Sequence, residues 1–480
     1  MSTLKRFFQD TIIYGFATVL PRLMNFILVP LHTEYLGPAG YSINTTFYVW
    51  ATFFNVVLTF GMETAFFRFF SHSEEKSKVF STSFITLTLT TILFFILVFT
   101  FREEITILVD LRPEYFNYLL GILALDTLVV IPFAYLRATN RPVKFALVKI
   151  LNIGVVVILN FYFFWFISEF PKHSPDIVLS NYSEADKVGY IFIANLVASA
   201  VTFLVLLPYF FRTRINFSFS ILKQMWKYAW PVMVAGLAFV INENLDKLLL
   251  KEMISEEVMG AYAGCYKLAV FMMIFIQAFR MGAEPFFFNH SKQDNAKETY
   301  ATILEYFVIA GSLILVILVV YIDFFKRLVI RDEDYWFTLA IVPIILLANL
   351  FMGIYHNLAV WYKLTDKTSM GMYISLFGAV VTILLNVVLI PVIGFMASAW
   401  ATLAAYGSMM LISYFLGRKY YPVPYNLKKI GMYLLLSVVL SLISFKFFRE
   451  NYLAGSSFVI LFLLITFFNE RKDLKQILNQ

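Results

Sequence analysis

About fourteen apolar stretches of roughly twenty residues follow one another along the chain, and they constrain its fold more than any other feature. A helix needs roughly 20 apolar residues to cross the hydrocarbon core of a bilayer. Only 14% of the residues are charged, against roughly 25% in soluble domains. The sequence therefore predicts an all-α polytopic membrane protein with about 14 transmembrane helices. The predicted spans are residues 10–33, 41–63, 79–101, 116–137, 143–167, 188–211, 228–250, 258–281, 299–322, 336–361, 370–392, 395–417, 428–447 and 453–469.

Lysine and arginine are unevenly divided between the loops that would face the two sides of the membrane. One set of loops holds most of the 38 cations, among them Arg68, Arg137, Arg212 and Arg418. The positive-inside rule places that set in the cytoplasm. Because the predicted number of spans is even, both termini are expected on the same side. The sequence thus predicts a multi-pass protein of the cytoplasmic (inner) membrane with both termini cytoplasmic.

Several classes of protein are disfavoured by the sequence. The net charge of +7 is explained by cytoplasmic loops and does not indicate nucleic-acid binding. The single cysteine, Cys265, excludes an intrachain disulfide. Gly-rich phosphate loops, His-Glu-x-x-His and metal-spaced Cys/His clusters are absent from the sequence. We therefore expect no cofactor, no metal and no enzymatic activity.

A short motif occurs twice and indicates an internal duplication. The pattern Gly-x-Glu-x-x-Phe-Phe begins at Gly61 and again at Gly282, an offset of 221 residues, and the same offset pairs Tyr41 with Tyr262. A second match pairs residues 155–160 with 381–386 at an offset of 226 residues. Internal repeats are common in secondary transporters. The pattern predicts two pseudo-symmetric six-helix bundles, at 1–215 and 216–420, followed by two additional helices and a cytoplasmic tail at 421–480.

The first two predicted helices carry motifs that resemble a known family. The motifs are Tyr14–Gly15, Leu20–Pro21–Arg22, Pro30–Leu31, Leu36–Gly37–Pro38–Ala39–Gly40–Tyr41, and Gly61-x-Glu63 with Arg68. They resemble those of the polysaccharide-biosynthesis flippases, the oligosaccharide translocases of the multidrug/oligosaccharidyl-lipid/polysaccharide (MOP) exporter superfamily. Helix count and the two halves extend the likeness over most of the chain.

The resemblance implies a fold and a function. It implies two bundles in a V shape, as in MATE and other MOP exporters, around a cavity that opens alternately to either side. The implied cargo is a lipid-linked oligosaccharide, a polysaccharide or O-antigen precursor, flipped from the inner to the outer leaflet among the membrane lipids. Lipid II flippases of the superfamily bind pyrophosphate through intramembrane cations, and this chain lacks several of their N-terminal arginines.

Four cations are candidate contacts for the phosphates of such a cargo. Arg22 and Lys267 lie near the middle of predicted spans, where a lipid-facing charge costs at least ~2.5 kcal/mol. We expect both to face a shared cavity, with Lys247 and Arg280 extending the cationic track outward and inward. The structural alternative is that these cations pair with a neighbouring acid such as Asp126.

Five acidic residues are candidates for coupling or gating. Asp126 is the only acid in the middle of its span, where a carboxylate could carry H+ or be balanced by Na+. Glu243 and Asp246 lie beside Lys247, and the i,i+4 spacing of Glu243 equally favours a local ion pair with that lysine.

The last two acids belong to the repeated motif. Glu63 and Glu284 lie at predicted helix C-termini, where acids are unfavourable. Pairing across the halves with Arg68, Arg280 or a loop cation would explain them as an inner latch. A solvated helix end is the alternative.

Two other functions compete with the flippase. A cation-coupled multidrug exporter of the same superfamily is the nearer one, although the cations favour an anionic cargo. A membrane polysaccharide polymerase or ligase is the more distant one. Such enzymes need a catalytic constellation, commonly in a large outer loop, and the longest predicted outer loop covers only residues 168–188.

Overall fold

The computed structural model describes the backbone of residues 3–180, 182–211, 216–291, 293–365 and 367–478. Side chains are described over the same ranges except 3–23, 25, 177–178, 285, 289 and 472–478. The described residues form helices and no strand. Within these residues, twelve helical segments are long and apolar enough to cross a membrane. The all-α polytopic class is therefore confirmed.

The α-helices occupy most of the described chain. They are α1 (Thr3–Thr59), α2 (Met62–His72), α3 (Lys76–Thr100), α4 (Arg102–Val109), α5 (Pro113–Ala138), α6 (Pro142–Phe161), α7 (Ile167–Glu169), α8 (Asp176–Leu179), α9 (Lys187–Leu206), α10 (Phe219–Met253), α11 (Glu256–Tyr266), α12 (Val270–His290), α13 (Ala296–Val320), α14 (Ile322–Val329), α15 (Val342–Leu358), α16 (Val360–Leu364), α17 (Ser369–Ile393), α18 (Met396–Tyr420), α19 (Leu427–Phe447) and α20 (Tyr452–Leu478). The range α1 consists of two helices joined at a kink at Gly37, whose φ of 62° and ψ of 170° are not helical. A π-helix covers Tyr162–Phe166, and 3-10 helices cover Pro171–His173, Glu184–Asp186, Leu207–Tyr209, Lys267–Ala269 and Glu333–Ile341.

The predicted number of fourteen spans is not confirmed. The first predicted span, 10–33, lies mostly where side chains are not described. The seventh, 228–250, lies in α10, which is helical over 35 residues but is not among the twelve apolar segments. Its charged residues, Glu243, Asp246, Lys247 and Lys251, lower its hydropathy.

The chain divides into two compact units, Met1–Ala263 and Gly264–Gln480, and the boundary falls inside α11. This division follows contacts in space, whereas the predicted boundary near residue 215 follows sequence repetition. The predicted domain limits stay a prediction.

In the first unit, α1 packs along α6 and α10, and α9 packs against α5 and α6. Phe47 of α1 stacks on Phe192 of α9 with ring centroids 3.7 Å apart, and Tyr115 of α5 contacts the same ring edge-on. All three side chains are buried. Aromatic packing therefore holds the centre of this unit together.

In the second unit, α18 packs between α15 and α17, and α13 packs against α19 and α20. The two C-terminal helices are tied to the bundle by Lys429 of α19. Its ammonium lies 3.0 Å from Glu305 of α13 and 2.7 Å from Glu470 of α20. Tyr433 donates a hydrogen bond of 2.9 Å to Glu470 as well.

The predicted duplication is visible within the separate units. A 25-residue helix, α3, is followed after one residue by the 8-residue α4, and α13 and α14 repeat both lengths and the gap. Both short helices end at a buried valine, Val109 and Val329. Hydropathy did not predict these short helices, because they are too short and too polar to resemble a span.

The turns that follow α5 and α16 repeat the same hydrogen bonds. Thr139 donates its hydroxyl to the carbonyl of Tyr135 at 2.7 Å, and Thr365 donates to that of Trp361 at 2.8 Å. The 226-residue offset relates both members of these pairs. Two pseudo-symmetric halves followed by two further helices are therefore present in the structure.

The repeated Gly-x-Glu motif differs between the two halves. Gly61 adopts φ 74° and separates α1 from α2, and a Cβ there would lie 2.6 Å from the carbonyl oxygen of Ala229. Gly282 lies within the continuous helix α12, with open space around it. The predicted location of both glutamates at helix C-termini is wrong. Glu63 lies in the first turn of α2, where an acid is favourable, and Glu284 lies inside α12.

Candidate functional site

A buried ion pair lies on α10, in the first unit. Asp246 is 1% exposed and Lys247 is 7% exposed. The Lys247 ammonium is 3.1 Å from Asp246 Oδ1, and the hydroxyl of buried Tyr262 donates to Asp246 Oδ2 at 3.0 Å. The backbone N–H of Lys247 donates to Asp246 Oδ1 at 2.9 Å. Both oxygens of the carboxylate are thus satisfied, as a buried charge requires.

The predicted partner of Lys247 was Glu243, and the structure gives the ammonium a carboxylate partner in Asp246. Lys247 contacts Glu243 through the backbone carbonyl of that residue, which accepts a hydrogen bond from the ammonium. Helical spacing alone favoured i,i+4 pairing. Pairing of the Lys247 ammonium with the Glu243 carboxylate stays a prediction.

A second group of charges continues from the end of α10. The Lys251 ammonium lies 2.5 Å from Asp110, which follows α4, and 3.2 Å from Glu256 of α11. Its side chain is 6% exposed. This grouping could not be predicted from the sequence, because Asp110 lies far from Lys251 along the chain.

Asp126 is half-buried in α5 of the first unit. The residues that act on its carboxylate are Ser199, through a hydrogen bond, and Lys149, through its charge. The Lys149 ammonium also lies 4.4 Å from the ring centroid of Phe133. Asp126 therefore has polar neighbours in its own unit, and its coupling role stays a prediction.

The structure describes the side chain of only one of the two cations predicted near the middle of a span. The side chain of Arg22 lies outside the described residues. Lys267 is half-buried in the 3-10 turn between α11 and α12. The hypothesis that these two cations share a cavity stays a prediction.

Each motif glutamate has a cation partner within its own unit. Glu63 lies 3.0 Å from Arg137, which is in the last turn of α5. Glu284 lies 3.1 Å from Arg280 and 2.8 Å from Lys363. The latch hypothesis stays a prediction, and the Glu63–Arg137 and Glu284–Lys363 contacts join neighbouring helices within each unit.

The cation partners of Glu63 and Glu284 occupy equivalent positions in the two sequence repeats. Arg137 and Lys363 are separated by 226 residues, the offset that also relates Thr139 to Thr365. In the sequence, both cations resemble ordinary charges of cytoplasmic loops. The second offset was the signal that could have identified them as partners of Glu63 and Glu284.

Comparison with known proteins agrees with this architecture. A family model described as polysaccharide biosynthesis protein matches residues 7–291, and a second, described as MatE, matches residues 231–388. No curated protein matches the sequence. Both matched families are transporters, which supports the prediction that the chain is not an enzyme.

Solved structures share the fold at low identity. The lipid II flippase MurJ in an inward closed conformation has a TM-score of 0.68 and 16% identity, covering 96% of this chain and all of that one. An inward-facing MATE transporter of the MOP superfamily has a TM-score of 0.66 and 12% identity, covering 86% and 95%. The MATE transporter DinF-BH in complex with R6G has a TM-score of 0.63 and 15% identity, covering 88% and 97%. Because the family model matches more than half of the chain, the protein belongs to the polysaccharide biosynthesis protein family, and it is a membrane transporter of the MOP superfamily.

Proposed function

We propose that the protein flips a lipid-linked oligosaccharide from the inner to the outer leaflet of the cytoplasmic membrane by alternating access. The observation that carries this proposal is the match of residues 7–291 to the polysaccharide biosynthesis family. Similarity to a lipid II flippase over 96% of the chain supports a lipid-linked cargo. Both termini are proposed to be cytoplasmic, from the distribution of loop cations.

The predicted cations would contact the cargo phosphates. Arg22, Lys247, Lys267 and Arg280 are proposed to do so, the arginines through bidentate hydrogen bonds and the lysines as point charges. Lys247 and Arg280 already hold carboxylate oxygens. A phosphate must compete with those carboxylates, which keeps each contact weak and lets the cargo move on.

The predicted acids would couple or gate transport. Asp126, Glu243 and Asp246 are proposed to exchange H+ or Na+, while Glu63 and Glu284 would gate transport through ion pairs that join neighbouring helices. Releasing Asp246 from Lys247 would expose a carboxylate and an ammonium together. A coupling cation could then bind the carboxylate of Asp246 while a cargo phosphate binds the ammonium of Lys247, so both would compete with the ion pair.

A cation-coupled multidrug exporter is the second candidate. The match of residues 231–388 to the MatE model and the likeness to DinF-BH, which was solved with R6G, favour it. The two candidates differ in the charge of the cargo, so one pair of substrates separates them.

The test uses purified protein in lipid vesicles that carry a fluorescent lipid-linked oligosaccharide. A reductant that cannot cross the bilayer bleaches only the outer leaflet, so flipping raises the bleached fraction from about half towards all. Lys267→Ala should slow flipping by about ten- to a hundredfold, because a hydrogen bond to a charged group contributes about 1.5–3 kcal/mol. Lys428→Ala, an exposed cation at the start of α19, is the matched control. Vesicles that move R6G but leave the lipid-linked sugar in place would establish the exporter instead.

A further inference from the structure

A small charged pocket lies where α2, α5 and α10 meet in the first unit. Its volume is about 300 Å³, and its charged and aromatic lining consists of Glu63, Phe67, Arg68, Arg137 and Tyr228. None of the predicted cargo cations takes part in it. A pocket of this size is at the lower limit for small-ligand sites, and it is large enough for a phosphate or diphosphate group.

One of the two guanidinium groups in the pocket is held in place by a neighbouring acid. Arg137 lies 3.0 Å from Glu63, and its guanidinium is 5.6 Å from the ring centroid of Phe67. These contacts orient the group but leave it about half exposed. Arg137 therefore retains N–H donors that face the pocket and its solvent.

The other guanidinium group is positioned without an acid. Arg68 is exposed, and its guanidinium lies 4.5 Å from the ring centroid of Tyr228, within cation–π range. Among the described residues, none forms a hydrogen bond or an ion pair with the Arg68 side chain. Two guanidinium groups and one carboxylate leave the pocket with one positive charge that the described residues do not balance.

The corresponding place in the second unit is organised differently. Arg280 and Lys363 both contact the same oxygen of Glu284, at 3.1 and 2.8 Å. The duplication places an asparagine, Asn289, at the position equivalent to Arg68. Arg68, which stacks on Tyr228, is thus specific to the first unit. The Glu–cation pair that both units share does not explain its presence.

The position of the pocket along the helices fits the lipid–water boundary. Arg68 is four residues before His72, where α2 ends, and charged residues follow at 74–76 and 78. An arginine deep in hydrocarbon would be costly, whereas at the boundary it meets lipid phosphates. A guanidinium group offers phosphate two parallel hydrogen bonds.

We propose that Arg68 and Arg137 form a binding site for the phosphate group of a membrane lipid. That group comes either from the diphosphate of the lipid-linked cargo or from an anionic phospholipid. The first source rests on the proposed flippase function, and the second does not. Tyr228 and Glu63 are positioning residues that hold the two guanidinium groups apart and aimed at the pocket.

The experiment measures binding to the full-length protein in a phosphate-free maltoside detergent. The probes are inorganic pyrophosphate, polyprenyl diphosphate and phosphatidylglycerol, and affinities are obtained by native mass spectrometry and by calorimetry. Arg68→Ala should weaken binding of the preferred probe about tenfold or more, as expected when a charge-assisted hydrogen bond is lost. Arg68→Lys should be intermediate, because lysine keeps the charge but loses the bidentate geometry.

Arg418→Ala is the matched control, since Arg418 is an exposed arginine in the last turn of α18. Tighter binding of polyprenyl diphosphate than of phosphatidylglycerol would identify the cargo as the ligand of the site, and the opposite order would identify an anionic membrane phospholipid. If Arg68→Ala, Arg418→Ala and the wild type bind all three probes equally, the site is refuted even if the protein flips its cargo. If Arg68→Ala loses binding while the wild type fails to flip, the site stands and the flippase proposal falls. Should Arg68→Ala unfold, Arg68→Gln replaces it under the same criteria.

Discussion

The ion pair on α10 should be a large, local source of stability that depends on both partners. Asp246 and Lys247 are 1% and 7% exposed, and Asp246 also accepts the hydroxyl of Tyr262 at 3.0 Å. Removing one partner of a buried pair leaves an uncompensated charge and costs roughly 3–5 kcal/mol. We therefore expect Asp246→Asn to lower the free energy of unfolding by about that amount, although asparagine can still accept from Tyr262.

The double variant Asp246→Asn, Lys247→Met should recover most of that loss. Replacing a buried pair with uncharged residues of similar volume is often neutral or stabilising, by about 1–4 kcal/mol. The chain itself offers a precedent, because the 221-residue offset relates this pair to Asn25 and Phe26. The expected coupling energy between the two sites is at least about 2 kcal/mol, within the range for residues in contact.

The assay is unfolding in mixed detergent micelles titrated with a denaturing detergent and followed by circular dichroism. Arg327→Ala is the control, because the Arg327–Glu450 pair has side chains 59% and 54% exposed. An exposed pair contributes at most about 1 kcal/mol. The reasoning is refuted if Asp246→Asn costs no more than the control, or if the losses of the two single variants simply add in the double variant.

Three further outcomes follow from the structure. Burial raises the pKa of the Asp323 carboxyl, but the hydrogen bonds and charges of Arg449 and Lys326 outweigh this and hold the pKa below its ordinary 3.8. The stabilisation is present above that ordinary value and is lost as pH falls through the folded-state pKa, so Asp323→Asn should flatten the acid side of a melting-temperature profile; an unchanged profile would contradict this. Gly260→Ala should destabilise the protein by roughly 3 kcal/mol, the upper end for overpacking, because its Cβ would lie 1.8 Å from the backbone oxygen of Pro38. If the variant unfolds at the same denaturant concentration as the wild type, this close helix contact is refuted. A reporter active only outside the cytoplasm should give signal at 180 and none at 295, and signal at 295 would overturn the proposed orientation.

The membrane class and the duplication could be predicted from the sequence because both depend on local properties. A segment in hydrocarbon must satisfy its backbone hydrogen bonds internally, so a run of apolar residues already specifies a helix. The repeat of the Gly-x-Glu-x-x-Phe-Phe motif at Gly61 and Gly282 can likewise be recognised without a structure. What hydropathy could not give was the short helices α4 and α14, or the length of the charged helix α10.

Which charges meet was decided only by tertiary structure. Glu63 pairs with Arg137 across 74 residues of sequence, and Lys251 contacts Asp110 across 141. Gly61 separates two helices at a place where α10 passes close to it, whereas Gly282 lies in open space within a continuous helix. Periodicity fixes which residues share a helix face, but the contacts of that face depend on how neighbouring helices pack, and helix packing is set by the shapes of side chains distant in the sequence.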